Sequence, residues 1–152
     1  MRSAVTWLAR VAALTVCGAA VAQPASAVYW RSAGNPLNVY ENGKVQGQAY
    51  GNYYNKNNTH AASQSNRRDA KPGGDGIFVH VDHWYLDPGH GNWIINGTDR
   101  TNNTTSGAWQ DSTYTNGLWP YGETARGIIH VCEDHSFAND PCSEDVIASF
   151  SY

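Results

Sequence analysis

The sequence has little of what usually reveals a chemistry. It holds 3 cysteines in 152 residues, and once a cysteine in the leader is set aside none is spare for nucleophilic work. It has no Gly-x-Ser-x-Gly elbow. The glycine-rich stretch Pro72-Gly73-Gly74-Asp75-Gly76 lacks the lysine and hydroxyl of a Walker loop and the glycine spacing of a dinucleotide fold, which excludes a phosphate cradle of either kind. Neither Asp69 to Asp75 nor Asp87-Pro88-Gly89-His90-Gly91 has the alternating Asp and Asn pattern of a dedicated calcium loop. Apolar runs are short, and nowhere do they reach the roughly 20 residues of a membrane-spanning helix. Long side chains that favour helices are scarce.

The longest apolar run lies at the start. Arg2 and Arg10 flank and interrupt a mildly positive beginning, Val11 to Ala22 is almost wholly apolar, and Ala25-Ser26-Ala27 has the small-x-small spacing of a signal peptidase site. Residues 1–27 therefore read as a secretory signal peptide. Leu14-Thr15-Val16-Cys17 touches on a lipoprotein signal, but bulky Val16 and the apolar residues beyond Cys17 argue against it. The expected location is extracellular. Removing the leader takes away two of the 10 basic residues and none of the 13 acidic ones, so the formal charge moves from −3 to −5. An acidic chain is a poor partner for nucleic acid or an anionic membrane. The small basic patch Arg67-Arg68 and Lys71, beside Asp69, reads as a solvated turn.

Cys132 and Cys142 remain, and in an oxidising compartment they read as a disulfide stapling the loop between them. The alternative is a pair of soft metal ligands, with His130 and His135 close by. About 125 residues suffice for one core but not comfortably for two.

The 9 tyrosines, the 15 glycines and the abundance of Asn and Thr point to strands and turns. Leu37 to Tyr40 and Val45 to Tyr50 flank Asn42-Gly43, the signature of a tight hairpin. Ile77 to Leu86 is the strongest strand. Its alternation puts Ile77, Val79, Val81, His83 and Tyr85 on one face and Phe78, His80, Asp82, Trp84 and Leu86 on the other. Gly127 to Cys132 and Asp145 to Tyr152 supply further strands. Thr59 to Asn66 reads as a strand or a helical turn, Thr98 to Ser106 as a surface loop, and Tyr114 to Tyr121 as isolated aromatics. The fold expected is all-β, a mostly antiparallel β-sandwich with one disulfide-stapled loop.

Three function classes are open. Trp84, Trp93, Trp109 and Trp119 would serve a carbohydrate-binding module, because flat rings cover the apolar face of a sugar; plugging the ends of the sandwich is the plainer role for such rings. His80, Asp82 and His130 would form a two-histidine, one-carboxylate metal site, the basis of a small metal-dependent hydrolase, if His130 faces the same way on a neighbouring strand. Mutual hydrogen bonding on a solvated face is the plainer reading. The triplets at Asn57, Asn96, Asn102 and Asn103 are glycosylation acceptors in a host with that machinery.

The third class enters through resemblance. Val39-Tyr40-Glu41-Asn42-Gly43 with Gln46 to Gly51, Lys71 to Val79, Ala125-Arg126-Gly127, Val131 to Asp134 and Asp140 to Ser143 resemble small secreted proteins of filamentous actinobacteria. Among these are the adaptor subunits of umbrella-shaped antibacterial toxin particles, in which the adaptor joins a lectin subunit to a large repeat-containing toxin polypeptide. The resemblance implies protein bridging without catalysis and without a cofactor. Combined with the aromatic start of the mature chain, it suggests residues 28–37 as a docking arm with Tyr29, Trp30 and Leu37 as anchors; a first strand that simply completes the sheet is the plainer reading of the same residues.

Overall fold

The computed structural model describes residues 27–72, 74–136 and 139–152. The expected leader, including Cys17, lies outside the described residues apart from Ala27. Among the described residues no helix is long and apolar enough to cross a membrane. Among the described residues nine strands follow one another: β1 (Val28–Arg31), β2 (Leu37–Glu41), β3 (Lys44–Asn55), β4 (His60–Asp69), β5 (Gly76–Asp87), β6 (Asn92–Arg100), β7 (Gln110–Gly117), β8 (Thr124–Asp134) and β9 (Val146–Ser151). They form two antiparallel sheets, β1-β3-β4-β7 with β2 also on β3, and β6-β5-β8-β9. This is the β-sandwich that the alternation and turn chemistry predict.

The hairpin between β2 and β3 turns at Asn42 and Gly43, with φ of 49° and 73°, the left-handed pair that tight primed turns require. In β5 the odd positions are the ones that face inward, and Ile77, Val79, Val81 and Tyr85 join Ala125, Ile129, Val131, Ala148 and Phe150 of β8 and β9. The first sheet contributes Trp30, Leu37, Val39, Ala49, Tyr53 and Ala61. Each large apolar side chain so buried contributes about 1.5–3 kcal/mol, offset by the chain entropy lost. The sheets approach closely at Gly47, where a Cβ would stand 2.5 Å from Ile77 Cδ1.

One polar chain crosses this core. The Tyr53 hydroxyl lies 3.0 Å from His83 Nδ1, and His83 Nε2 lies 2.9 Å from Asp99 Oδ2. The carboxylate needs a proton on Nε2, which leaves Nδ1 free to accept from the tyrosine. The relay links β3 of one sheet to β5 and β6 of the other. It contains the atom types of a nucleophilic system, but Tyr53 and His83 are fully buried, and its role is to tie the sheets together.

Several expectations change. Residues 60–66 belong to a ten-residue strand that runs on through Arg67-Arg68-Asp69, so the two arginines of the basic patch are in a strand and only Lys71 lies in an exposed bend. Arg67 is buried, donating from Nε to the Asn102 carbonyl at 2.9 Å and from its terminal nitrogen to Ser112 Oγ at 2.8 Å. Thr98 to Arg100 complete β6, and Thr101 and Thr104 in the following loop are buried. Gln110 to Gly117 forms β7, a polar strand paired with β4. Residues 28–37 are not a free arm: β1 pairs with Gly51 to Tyr53 of β3, and Trp30 and Leu37 are core residues. Of the three expected anchors only Tyr29 is available, at 75% exposure.

Cys132 and Cys142 form the disulfide, so neither offers a thiolate to a metal. Backbone bonds from Glu133 to the Pro141 carbonyl and from Ser143 to the Val131 carbonyl lay the returning segment alongside β8.

Tyr53→Phe keeps the ring but leaves His83 Nδ1 without its donor, and should cost about 1–3 kcal/mol, read from the shift of the urea midpoint. The Cys132→Ser, Cys142→Ser double variant should lose about 2–3 kcal/mol, given the short loop it reopens.

Candidate functional site

The outer face of β6-β5-β8-β9 gathers most of the chemistry that the sequence singles out. Antiparallel register sets His80 opposite His130, Asp82 opposite Ile128, and Trp84 opposite Arg126. On the other flank Asp82 faces Thr98, Trp84 faces Ile95, and Leu86 faces Trp93. Ile147 of β9 extends the Asp82 and Ile128 rung. Residues directly opposite on paired strands share a face, so these side chains form one grid.

Its polar part is a stacked histidine pair. The His80 and His130 rings lie 4.7 Å apart at 10°. His80 Nε2 meets Asp82 Oδ1 at 3.0 Å, Thr98 donates to that oxygen at 2.7 Å, and His130 Nδ1 meets Asp145 Oδ1 at 3.0 Å. Burial pushes the Asp82 carboxyl up, but hydrogen bonds from Thr98 and His80 and the nearby imidazoles outweigh it and hold the group below its ordinary value. His130 is lowered by burial and by His80, against the pull of Asp145. The expected trio is thus brought together on one sheet face. The lone pairs of parallel imidazoles run side by side instead of converging, and each ring is already engaged with its own carboxylate.

Its apolar part centres on Arg126. The guanidinium lies 4.1 Å from the Trp93 ring centre and 5.4 Å from that of Trp84, within cation–π range of both. Ile95 at 49% and Ile147 at 61% exposure flank this cluster. At the far end Arg100 covers Phe78 at 3.7 Å. The other two tryptophans lie elsewhere. Trp109 packs edge-on to Tyr50 at 4.8 Å and carries Arg68 at 4.5 Å, while Trp119 closes one end of the core beside Tyr121 and Tyr152. The four do not make one row.

Arg126, Thr98, Asp145 and the exposed isoleucines are absent from the sequence-based candidates. The signal for Arg126 and Ile128 was present: counted back from His130 by twos, both fall on its face of β8. Thr98, Ile95 and Asp145 depend on pairings between distant segments. Protein-family models, curated proteins and solved structures were compared with the chain, and none matches.

His83 and His130 both have pKa values below the ordinary 6.5, burial being the main cause in each. The unfolded chain therefore binds protons that the folded one refuses, and stability falls as pH drops through 6.5 toward the folded values. Glu133, raised above its ordinary 4.5 by burial, acts in the opposite sense above that pH. The urea midpoint should fall between about pH 7.5 and about pH 5, and the fall should be smaller in His130→Gln, from which one of the two imidazoles is gone.

Proposed function

We propose that this chain is a secreted, non-enzymatic adaptor that docks a protein partner through the outer face of β6-β5-β8-β9. The observation that carries the reading is Arg126 held between Trp84 and Trp93, with Ile95 and Ile147 exposed beside it. Tryptophan and arginine dominate interface energetics, and a preorganised cluster of them surrounded by aliphatic contacts has the make-up of a hot spot. The same observation weighs against the carbohydrate module, since each indole already has the guanidinium over its ring and the four tryptophans are dispersed. In the Tyr53, His83 and Asp99 relay the hydroxyl and the imidazole are fully buried, and only the carboxylate reaches the surface. The resemblance to umbrella-particle adaptors supplies the class of partner, a secreted lectin or a large repeat-containing toxin polypeptide. The docking surface proposed is a sheet face rather than residues 28–37.

The test is recovery of the mature protein, tagged at its C-terminus, from its host's culture medium, followed by mass spectrometry. The expected result is stoichiometric capture of a large secreted polypeptide. In Ile147→Asp and in Trp93→Ala, binding should weaken roughly 10- to 100-fold, with melting temperatures confirming that both variants fold. Recovery of the protein alone, or capture indifferent to both substitutions, overturns the proposal. Glycan-array binding lost in Trp93→Ala would replace it with the carbohydrate module.

A further inference from the structure

At the end of the sandwich remote from Trp119, four side chains from four segments converge. Glu41 ends β2, Asp75 precedes β5, Glu133 lies near the end of β8, and His135 follows that strand. His135 Nε2 stands 3.5 Å from Glu133 Oε2, 3.6 Å from Asp75 Oδ2 and 3.9 Å from Glu41 Oε1. One ligand atom each from Glu41, Glu133 and His135 lie within 4.8 Å of one another. The cleft above them is lined by Glu41, Gln46, Lys71, Pro72, Asp75 and Glu133.

Glu133 makes this more than a cluster of surface acids. It pairs with Ile77, so it points inward between the sheets, and it is only 5% exposed. Its Oε2 is buried and, among the described residues, has no hydrogen-bond partner. The 3.5 Å to His135 is longer than a good N–H···O bond. A buried carboxylate oxygen left without a donor is costly, and two further carboxylates beside it add repulsion. Ligand atoms about 2.0–2.1 Å from a tetrahedral zinc ion stand roughly 3.4 Å apart, close to the spacings around His135 Nε2. The imidazole argues for a transition metal over calcium or magnesium, which prefer oxygen alone.

We infer that Glu41, Asp75, Glu133 and His135 form a divalent metal site for zinc, which closes this end of the sandwich by joining the β2–β3 hairpin, the loop before β5 and the end of β8. The site is separate from the proposed docking face, and its role is structural.

The probe is zinc chloride, titrated calorimetrically into mature protein freed of metal with a chelator. The expected result is one ion per chain and a melting temperature raised by excess zinc. Glu133→Gln should lower the affinity at least tenfold and, in the absence of metal, fold at least as stably as the parent, because it replaces the buried carboxylate with a neutral amide. His135→Ala should also lose the zinc response. His90→Asn, which changes an exposed imidazole paired with Asp87, should bind zinc as the parent does. No uptake and no shift would mean that His135 serves the carboxylates only as a hydrogen-bonding or charged partner, and would overturn the proposal. So would a zinc response that survives both Glu133→Gln and His135→Ala, or calcium bound in preference to zinc.

Discussion

The bond between the Tyr53 hydroxyl and His83 is the constraint on which the sandwich turns. Hydrophobic burial pulls two sheets together but is indifferent to how they slide, whereas a donor and an acceptor on opposite sheets are satisfied in only one alignment. Asp99 fixes the tautomer from the far side, so the choice of proton position on one ring propagates from β6 through β5 to β3. Burial raises the Tyr53 hydroxyl pKa, which keeps it a donor throughout the range in which the protein would work. Tyr85, pushed up to about 12 mainly by burial, is likewise a neutral hydroxyl, bonded to Asn116 of β7 at 3.1 Å. The two tyrosines thus anchor the central strands to different parts of the opposing sheet.

β5 shows how one strand can carry both stability and a surface. Its inward residues are the core, and its outward ones supply the histidine stack, the carboxylate and an indole. Because period-two alternation separates the two sets completely, the outer face can vary without reshaping the interior. The covered Phe78 shows that this outer face is itself partly closed, by a guanidinium rather than by another sheet. Arginine recurs in this role over Phe78, Trp109 and between Trp84 and Trp93, so that aromatic surface is masked by charge on both outer faces.

Much of this was legible in the residues. The Asn42-Gly43 turn, the alternation of Ile77 to Leu86 and the cysteine pair all depend on local chemistry. The polar strands were not. Nothing in Gln110 to Gly117 marks it as extended except its pairing with β4, and Arg67 reads as a surface cation until Asn102 and Ser112 come up to its guanidinium. Trp30 and Leu37 illustrate the reverse ambiguity, since an aromatic start followed by Gly and Pro has the same local signature whether it projects or plugs a core. For the site, the parity of β8 was available but its register against β5 was not. Register decided both that His80 would meet His130 and that they would stack instead of pointing at a common centre.

The arrangement of β1 and β2 has a consequence for how the molecule behaves in a crowded fluid. A long unpaired strand edge invites pairing with another copy, and β3 is 12 residues long. Its edge is instead shared by two strands of 4 and 5 residues, separated by a polar turn at Ser32 to Asn35. The outermost backbone on that side is therefore broken into pieces too short to template a neighbour. The opposite edge, β7, is polar throughout apart from a single tyrosine. In the second sheet β6 is kinked by the irregularity opposite His83 and Trp84, and β9 has only six residues. Each free margin is thus blunted in its own way, so resistance to aggregation is distributed around the whole perimeter of the fold.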